Sequence, residues 1–540
     1  MGASQSHGEE SPPRRGSAAT SPSEIPPDGI HPSRSSLVSE HPFSAPTLAA
    51  ARSAYLKLRD VQPDGEKEGG IRLSRFVVVG GLQTWLSARL FKSACEDGER
   101  EILHYEGFLR ILQLLVRDDA CYVTPHTAEE LRQADLQLLQ CLSLKTGAFT
   151  RADLCELLSA VADVAITQLR ALNKSADRPQ LGSESLEPDS PRIKMLSGQI
   201  LRANQTNGIS GDVESITVED LQKWFIRNMP FIFEPVRFAF IQTWLTLNEE
   251  AQLPLYPPQH IPVVGKSEIL TDAMTWILSS FLKLPAPAAK EHTLALAESQ
   301  QGETVAQWDL LFSARNDGYS INRFEYHTLK YPKPSLLLVS GSLPASKTSN
   351  GEPQLITIGA YVDCPWKKSK SFWGTPDCML FQLDPVVDLF RTNVESSTHA
   401  KLPLDHFVYF SADSGVIGFG GEIGTFNFST DLRTATLNLN STSPLNVTTQ
   451  AQRPPTYDFG PRGAKQESGI TFDVDDLEVF GLGGTQARQR QRREWDFDAR
   501  DAARRSGLVS HHRGGDATAA DLEITKQILA MAGVYSGADQ

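Results

Sequence analysis

Six cysteines are spread through 540 residues, at positions 95, 121, 141, 155, 364 and 378. None forms a Cys-x-x-Cys pair, which excludes a zinc ribbon and a thioredoxin motif. No signal peptide precedes them, so they are expected to be reduced thiols of a cytosolic protein. Long apolar runs are also missing. The best candidate, Met274 to Leu284, contains two serines and a lysine and is far too short to cross a bilayer. An excess of positive charge is lacking as well. The formal net charge is -13, so no broad electrostatic attraction to nucleic acid or anionic lipid is available, and direct nucleic-acid binding is not expected. Asn-x-Ser/Thr sites occur at Asn173, Asn204, Asn427, Asn440 and Asn446. They carry no meaning unless the chain enters the secretory pathway.

The usual catalytic signatures are absent too. Ser320 lacks a Gly-x-Ser-x-Gly elbow, and no nearby His/Asp pattern supports a nucleophile there. Gly418-Phe-Gly-Gly-Glu-Ile-Gly424 fails the dinucleotide fingerprint, because Ile423 stands where the third glycine belongs, and no Lys-Ser/Thr follows. Its glycines suit a tight hairpin or a close strand approach. Glu422, the one acid in that loop, is the first candidate if general acid-base chemistry exists here. Cys364-Pro365-Trp366 invites a redox reading. Lys367 and Lys368 could favour a thiolate, Asp363 opposes it, and a resolving partner would have to be Cys378 across a turn. The reading set against this is a structural cysteine at a strand end.

The length suggests two or three domains, and a hydrophobic content of 40% is enough for real cores. Residues 1–48 read as a disordered tail rich in Ser, Pro, Gly and charge. Met1-Gly2-Ala3-Ser4-Gln5-Ser6 fits the N-myristoylation pattern on Gly2. One acyl chain holds a membrane only marginally, so reversible contact is expected.

Residues 49–285 show helical spacing. Glu101 to Val116 places Ile102, Tyr105, Leu109, Leu112 and Val116 on one face, and Leu131–Leu142 and Ala152–Leu172 repeat the pattern. Thr150 and Thr217 are candidate N-caps, and both precede turn-strand-helix units with the layout of an EF-hand pair. With Gly208 at the sixth loop position, positions 1 and 3 are Ala203 and Gln205 and position 12 is Glu214. One carboxylate cannot hold calcium, so the region is read as a degenerate, metal-free scaffold. The polar, proline-bearing stretches 174–192 and 253–264 read as connections.

After the breaker at 285–289 the pattern changes to strands: Ser335–Ser340, Leu355–Tyr361, Met379–Leu383, Phe407–Phe410, Leu477–Phe480, and two short ones within Gly415–Phe428. A β-sandwich with flanking helices is predicted over 290–484. In Asn316-Asp-Gly-Tyr-Ser320, Gly318 would supply a turn and Ser320 an N-cap, and His327 is read as a half-buried packing histidine. Residues 485–540 form a charged tail. Arg488–Arg505 mixes both signs at helical spacing and reads as a solvated helix, and Thr518–Val534 as a short amphipathic one.

Four segments occur in order: Leu311–Phe324, Ile358-Gly-Ala-Tyr-Val-Asp-Cys-Pro-Trp366, Gly415–Gly424 and Leu477-Glu-Val-Phe-Gly481. Together they resemble the TLDc domain. With the acylation-type start and the Arg/Glu/Trp tail, the whole layout is similar to the fungal restriction of telomere capping protein 5 family. The resemblance implies an α+β protein with a TLDc-type β-sandwich. It further implies a non-enzymatic regulatory protein of the cytoplasm or the vacuolar surface. Such a protein would bind the vacuolar proton-pumping ATPase, affect telomere capping indirectly and be associated with oxidative-stress resistance. An activity of redox or hydrolytic type in the same domain is the alternative. No cofactor or metal is implied. Asp317, Gly318, Trp366, Gly418, Gly420, Gly421 and Glu422 are the candidate partner-contact or structural motif residues, and Gly2 the lipidation site.

Overall fold

The computed structural model describes residues 45–59, 70–79, 82, 84–95, 102–115, 128–144, 146–203, 214–246, 261–282, 306–344, 351–392, 407–411, 416–420, 426–429, 431–437, 457 and 470–512. Gly2, the Met1–Ser6 motif, Gly208, Gln205, Gly421, Glu422 and the 518–534 segment lie outside them.

The N-terminal part is helical. Its elements are α1 (Ala45–Leu58), β1 (Ile71–Arg72), α2 (Leu73–Val79), α3 (Thr84–Ala94), β2 (Ile102–Leu103), α4 (Tyr105–Leu115), α5 (Ala128–Leu142), β3 (Ala148–Thr150), α6 (Arg151–Ser175), α7 (Pro191–Ala203), β4 (Ser215–Thr217), α8 (Val218–Asn228) and α9 (Glu234–Thr246). The helical pattern read from Glu101 to Val116 divides. Ile102 belongs to β2, paired antiparallel with Ile71–Arg72, and the helix starts only at Tyr105. The adjacent apolar residues Ile102 and Leu103 satisfy a strand pairing that periodicity alone cannot distinguish from a first helical turn.

The 25-residue α6 is the centre of this region. Thr150 caps it in a full capping box: its hydroxyl accepts from Asp153 N at 3.2 Å, and Asp153 Oδ2 accepts from Thr150 N at 3.2 Å. Leu154, Leu157, Leu158, Val161, Ala165 and Leu169 are buried, and the helix packs against α7 and α9. Thr217 caps α8 through Asp220 N. The two capped helices are brought together by β3–β4, with Phe149 opposite Ile216 and both side chains buried. Pro191, expected inside a loop, instead opens α7, where its missing N–H costs nothing.

Next come β5 (Val263–Val264), α10 (Asp272–Phe281) and β6 (Gln307–Ser313). Every residue of α10 is buried, because it lies between α6 and the sheet. Its Asp272 accepts from Arg170 Nε of α6 at 2.7 Å, and Phe281 meets Phe381 at 5.7 Å between ring centres. Short helices α11 (Ala314–Asp317) and α12 (Ile321–Thr328) follow. Then come β7 (Ser335–Leu343), β8 (Gln354–Val362), β9 (Met379–Asp384), β10 (Asp388–Phe390), β11 (Val408–Ser411), β12 (Val416–Phe419), β13 (Phe426–Phe428), β14 (Thr434–Leu437), β15 (Ile470–Gly481) and α13 (Gly484–His512).

Where the sequence predicts a sandwich, the strands form one hydrogen-bonded sheet of order β10-β9-β8-β7-β15-β14-β13-β12-β11. β6 is paired to β15 and, in parallel, to β5. The reason is the length of β15. Ile470–Asp473 pair with β14, and Asp473, Val474 and Asp476–Gly481 pair with β7, so one strand serves both wings. The wings share a single apolar core containing Leu337, Val339, Ile358 and Leu380 from one and Phe410, Phe419, Phe426 and Leu437 from the other.

The sheet is tied to the helical region by polar contacts. Arg192 of α7 reaches Asp384 of β9, Arg178 reaches Asp309 of β6 at 3.1 Å, and Asn173 Oδ1 accepts from Val264 N at 3.0 Å. The solvated helix expected after Gly484 is α13. Gln491, fully buried, donates to the carbonyls of His327 and Leu329, and Trp495 stacks on Tyr326 with ring centres 5.1 Å apart. Phe497, two residues on, is exposed.

Candidate functional site

Of the described motif residues, Trp366, Gly418 and Gly420 lie close together around two loops at one part of the shared core. The first loop, 363–378, joins β8 to β9 and is hydrogen-bonded onto β11. Trp373 and Val408 exchange two backbone bonds of 2.8 Å, and Ser369 N donates to Phe410 O at 3.0 Å. Trp366 points inward from this loop. Its ring makes edge contacts with Phe324 at 5.1 Å, Trp373 at 5.8 Å and Phe410 and Phe419 at 6.3 Å each, and its Nε1 donates to Ser335 Oγ at 2.7 Å. A buried tryptophan satisfied in this way is a packing keystone.

The second loop follows β12. Gly418 pairs with Tyr409 on one side and Asn427 on the other. Gly420 takes φ +71° and donates its N–H to Phe407 O at 2.9 Å. That carbonyl also accepts from the buried Tyr457 hydroxyl at 3.0 Å. Gly420 therefore turns the chain at the end of β12, and the rest of the glycine-rich segment, 421–424, lies outside the described residues.

Asp317 and Gly318 serve the α11–α12 corner. Gly318 has φ +91°, and an added Cβ would meet nothing within 4 Å, so the backbone angle is what favours glycine. Asp317 Oδ2 accepts from Ser313 N at 2.9 Å, and its Oδ1 lies 3.7 Å from His327 Nε2. Ser320 stands at the N-cap position of α12 but makes no side-chain cap bond. His327 packs among Phe312, Tyr326 and Trp495. Burial pulls its pKa below the ordinary 6.5. Asp317 pulls it upward, Arg488 and Arg323 push it down, and the net shift is down. A base with a lowered folded pKa binds fewer protons folded than unfolded. Its contribution is therefore intact above pH ~6.5 and is lost progressively as pH falls from there through the lowered folded value. The melting temperature is expected to drop as pH is lowered below about 6.5. His327→Gln is expected to flatten that slope, as read by calorimetry across the range; an unchanged slope would count against it.

Cys364 and Cys378, separated by 14 positions, come together with Asp363. Their ligand atoms all lie within 4.8 Å of one another. The buried Cys378 thiol donates to Asp363 Oδ1 at 3.0 Å, and the Thr375 hydroxyl donates to Oδ2 of the same carboxylate. The Cys378 hydrogen bond lowers the half-buried Cys364 thiol, against burial and Asp363. The same contact and burial push Cys378 far upward.

Sequence reasoning missed Glu478, although it sits inside the Leu477–Gly481 segment. Its buried carboxylate accepts from Glu268 N at 2.8 Å and from the Ser267 hydroxyl at 2.5 Å, which fixes the chain ahead of α10. Burial raises its pKa, opposed by these bonds. An acid inside an apolar strand was the available signal.

Residues 266–483 match the TLDc domain. The chain carries a TLDc domain. The match contains α10, the whole sheet from β6 to β15 and both motif loops, so the four ordered segments read from the sequence fall within or at its edges. Curated fungal relatives are named "Restriction of telomere capping protein 5". The one from Pyricularia oryzae is 27% identical, over 42% of this chain and 40% of the relative. That from Aspergillus clavatus is 28% identical, over 60% and 56%. That from Trichophyton verrucosum is 26% identical, over 69% and 63%. The matched span is thus less than two thirds of the length of these relatives. Among the described residues, no helix is long and apolar enough to cross a membrane.

Proposed function

We propose that this TLDc protein is a non-enzymatic interaction protein that docks on a large partner. The partner to test is the vacuolar proton-pumping ATPase, met at the vacuolar surface with reversible help from an acylated Gly2. Any effect on telomere capping, which the relatives' name suggests, is then indirect. The observation that carries this reading is the use to which the motif is put. Trp366 fills the core, Gly418 pairs within the sheet, Gly420 turns the chain after β12, and Asp317 holds backbone, so these residues support the fold and this use favours a docking module over a catalytic centre. The alternative is an oxidative-stress protein with activity at Cys364 or Glu422.

The test is affinity purification of the full chain, with Gly2 intact and as Gly2→Ala, read by mass spectrometry. Subunits of the ATPase are expected with intact Gly2, and Gly2→Ala is expected to shift the protein to the cytosol without changing its melting temperature. Absence of the ATPase from both would sink the partner assignment. Cys364→Ser and Glu422→Gln are expected to retain partner binding. Turnover of a peroxide or ester substrate by the purified chain, abolished in either variant with folding and binding intact, would favour the enzyme instead.

The helical region is proposed to be a degenerate EF-hand scaffold. Support comes from the β3–β4 pairing that joins two strand-helix units, each with a threonine cap. Ala203 and Gln205 occupy ligand positions in the best register. Calorimetric titration is expected to give no heat of calcium binding; micromolar affinity would refute the reading.

A further inference from the structure

Asp363, Cys364 and Cys378 sit where β8 ends and β9 begins, and each offers one donor atom to a common centre. We propose that they form a binding site for a single zinc(II) ion that ties the two ends of loop 363–378 together. Two sulfurs and one carboxylate oxygen are a donor set suited to this cation. With Zn–S near 2.3 Å and Zn–O near 2.1 Å, tetrahedral donors lie roughly 3.5–3.8 Å apart. The observed spread of at most 4.8 Å is a small side-chain adjustment from that.

The surroundings are built to hold these donors. The Thr375 hydroxyl fixes Oδ2 of Asp363, and Cys378 N donates to Thr375 O at 3.0 Å, which holds the turn that carries the sulfur. Such outer partners orient ligands and tune affinity. Gly374, at φ +113°, lets the chain pass close by: an added Cβ would stand 3.2 Å from Cys378 Sγ and 3.0 Å from Phe407 Cβ. Lys367 acts on Cys364 electrostatically and offsets part of the anionic charge of two thiolates and a carboxylate. Cys364 is only half-buried, so solvent can complete the coordination.

Asp363 decides between a cation site and a thiol pair acting alone. A carboxylate beside a thiolate disfavours the anion, which handicaps a nucleophile. Three converging anions are instead what a divalent cation stabilises. Binding would replace the two thiol protons, releasing both to solvent as the zinc–sulfur bonds form. The loop so fastened carries Trp366 and Trp373 into the core.

The test uses the reduced full chain, equilibrated with zinc, freed of excess metal and assayed for bound metal. One equivalent is expected. Cobalt(II) in place of zinc is expected to show thiolate-to-cobalt charge-transfer absorption. Cys364→Ser and Cys378→Ser are expected to lose the metal, whereas Cys155→Ser, altered on α6, keeps it. Thr375→Val, which spares the donors, is expected to weaken zinc by about 10-fold or more in a competition titration with a chromogenic chelator. If Cys378→Ser fails to fold, the half-buried Cys364→Ser and the cobalt spectrum of the unaltered chain still decide. A reduced chain that keeps no zinc and gives no charge-transfer band overturns the proposal. So does zinc retained in both cysteine variants. A chain that refuses zinc but forms a Cys364–Cys378 disulfide with peroxide replaces the cation site by a redox pair.

Discussion

Replacing Arg192 with alanine is expected to destabilise the protein by about 3–5 kcal/mol, the cost typical of breaking a buried ion pair from one side. The Arg192 side chain is only 7% exposed. Its Nε donates to Glu184 Oε1 at 2.7 Å, its Nη1 to Leu383 O at 2.9 Å and its Nη2 to Asp384 Oδ1 at 3.0 Å. The guanidinium therefore joins a loop and helix of the N-terminal region to the end of β9. Alanine would strand the Asp384 carboxylate, which is 13% exposed, and leave a carbonyl short of its donor. Chemical denaturation of Arg192→Ala and of the pair Arg192→Met/Asp384→Leu checks this. The apolar pair should recover most of the loss, because it removes both charges from the interior. A single-variant loss below about 1 kcal/mol would mean that water already screens the site.

Arg192 also shows where the sequence stops being readable. It stands in a proline-bearing polar stretch, and nothing within that stretch announces a partner 192 positions away. Local signals did survive folding. Thr150 and Thr217 cap their helices, because a cap needs only its own next three residues. The runs at 335–340, 355–361, 379–383 and 407–410 became strands, because their apolar and β-branched residues suit a buried sheet. What was lost is pairing at long range. Gln307–Ser313 is absent from the strands read in the sequence, yet it is a strand because β15 lies alongside to receive it. The two short strands at 71–72 and 102–103 exist only through each other. In the site, Gly318 and Gly420 were legible as turn residues, since positive φ is a property of one residue. The meeting of Asp363, Cys364 and Cys378 was only half legible. The spacing allowed Cys378 to return across a turn, but the role of Asp363 as the shared acceptor depends on side-chain direction.

Trp366→Ala is expected to cost about 3–5 kcal/mol, as large aromatic truncations in cores do. Trp366 is 3% exposed and touches the α12 helix through Phe324, its own loop through Trp373, and the far wing through Phe410 and Phe419. Its removal opens a cavity where these three meet. Trp366→Phe should cost less, forfeiting some volume and the bond to Ser335 Oγ, the latter worth about 1 kcal/mol. Gly420→Val should destabilise as well, because a β-branched residue is strained at φ +71°. Denaturation midpoints and near-ultraviolet circular dichroism read the loss of packing, and partner capture is measured in parallel. If binding falls only as far as folding does, Trp366 acts through the core, in keeping with its burial. If Trp366→Ala and Gly420→Val stay folded yet lose the partner, the two loops they belong to are the contact surface. A Trp366→Ala chain that loses less than about 1 kcal/mol would show that the core closes over the gap, and the keystone assignment would fall.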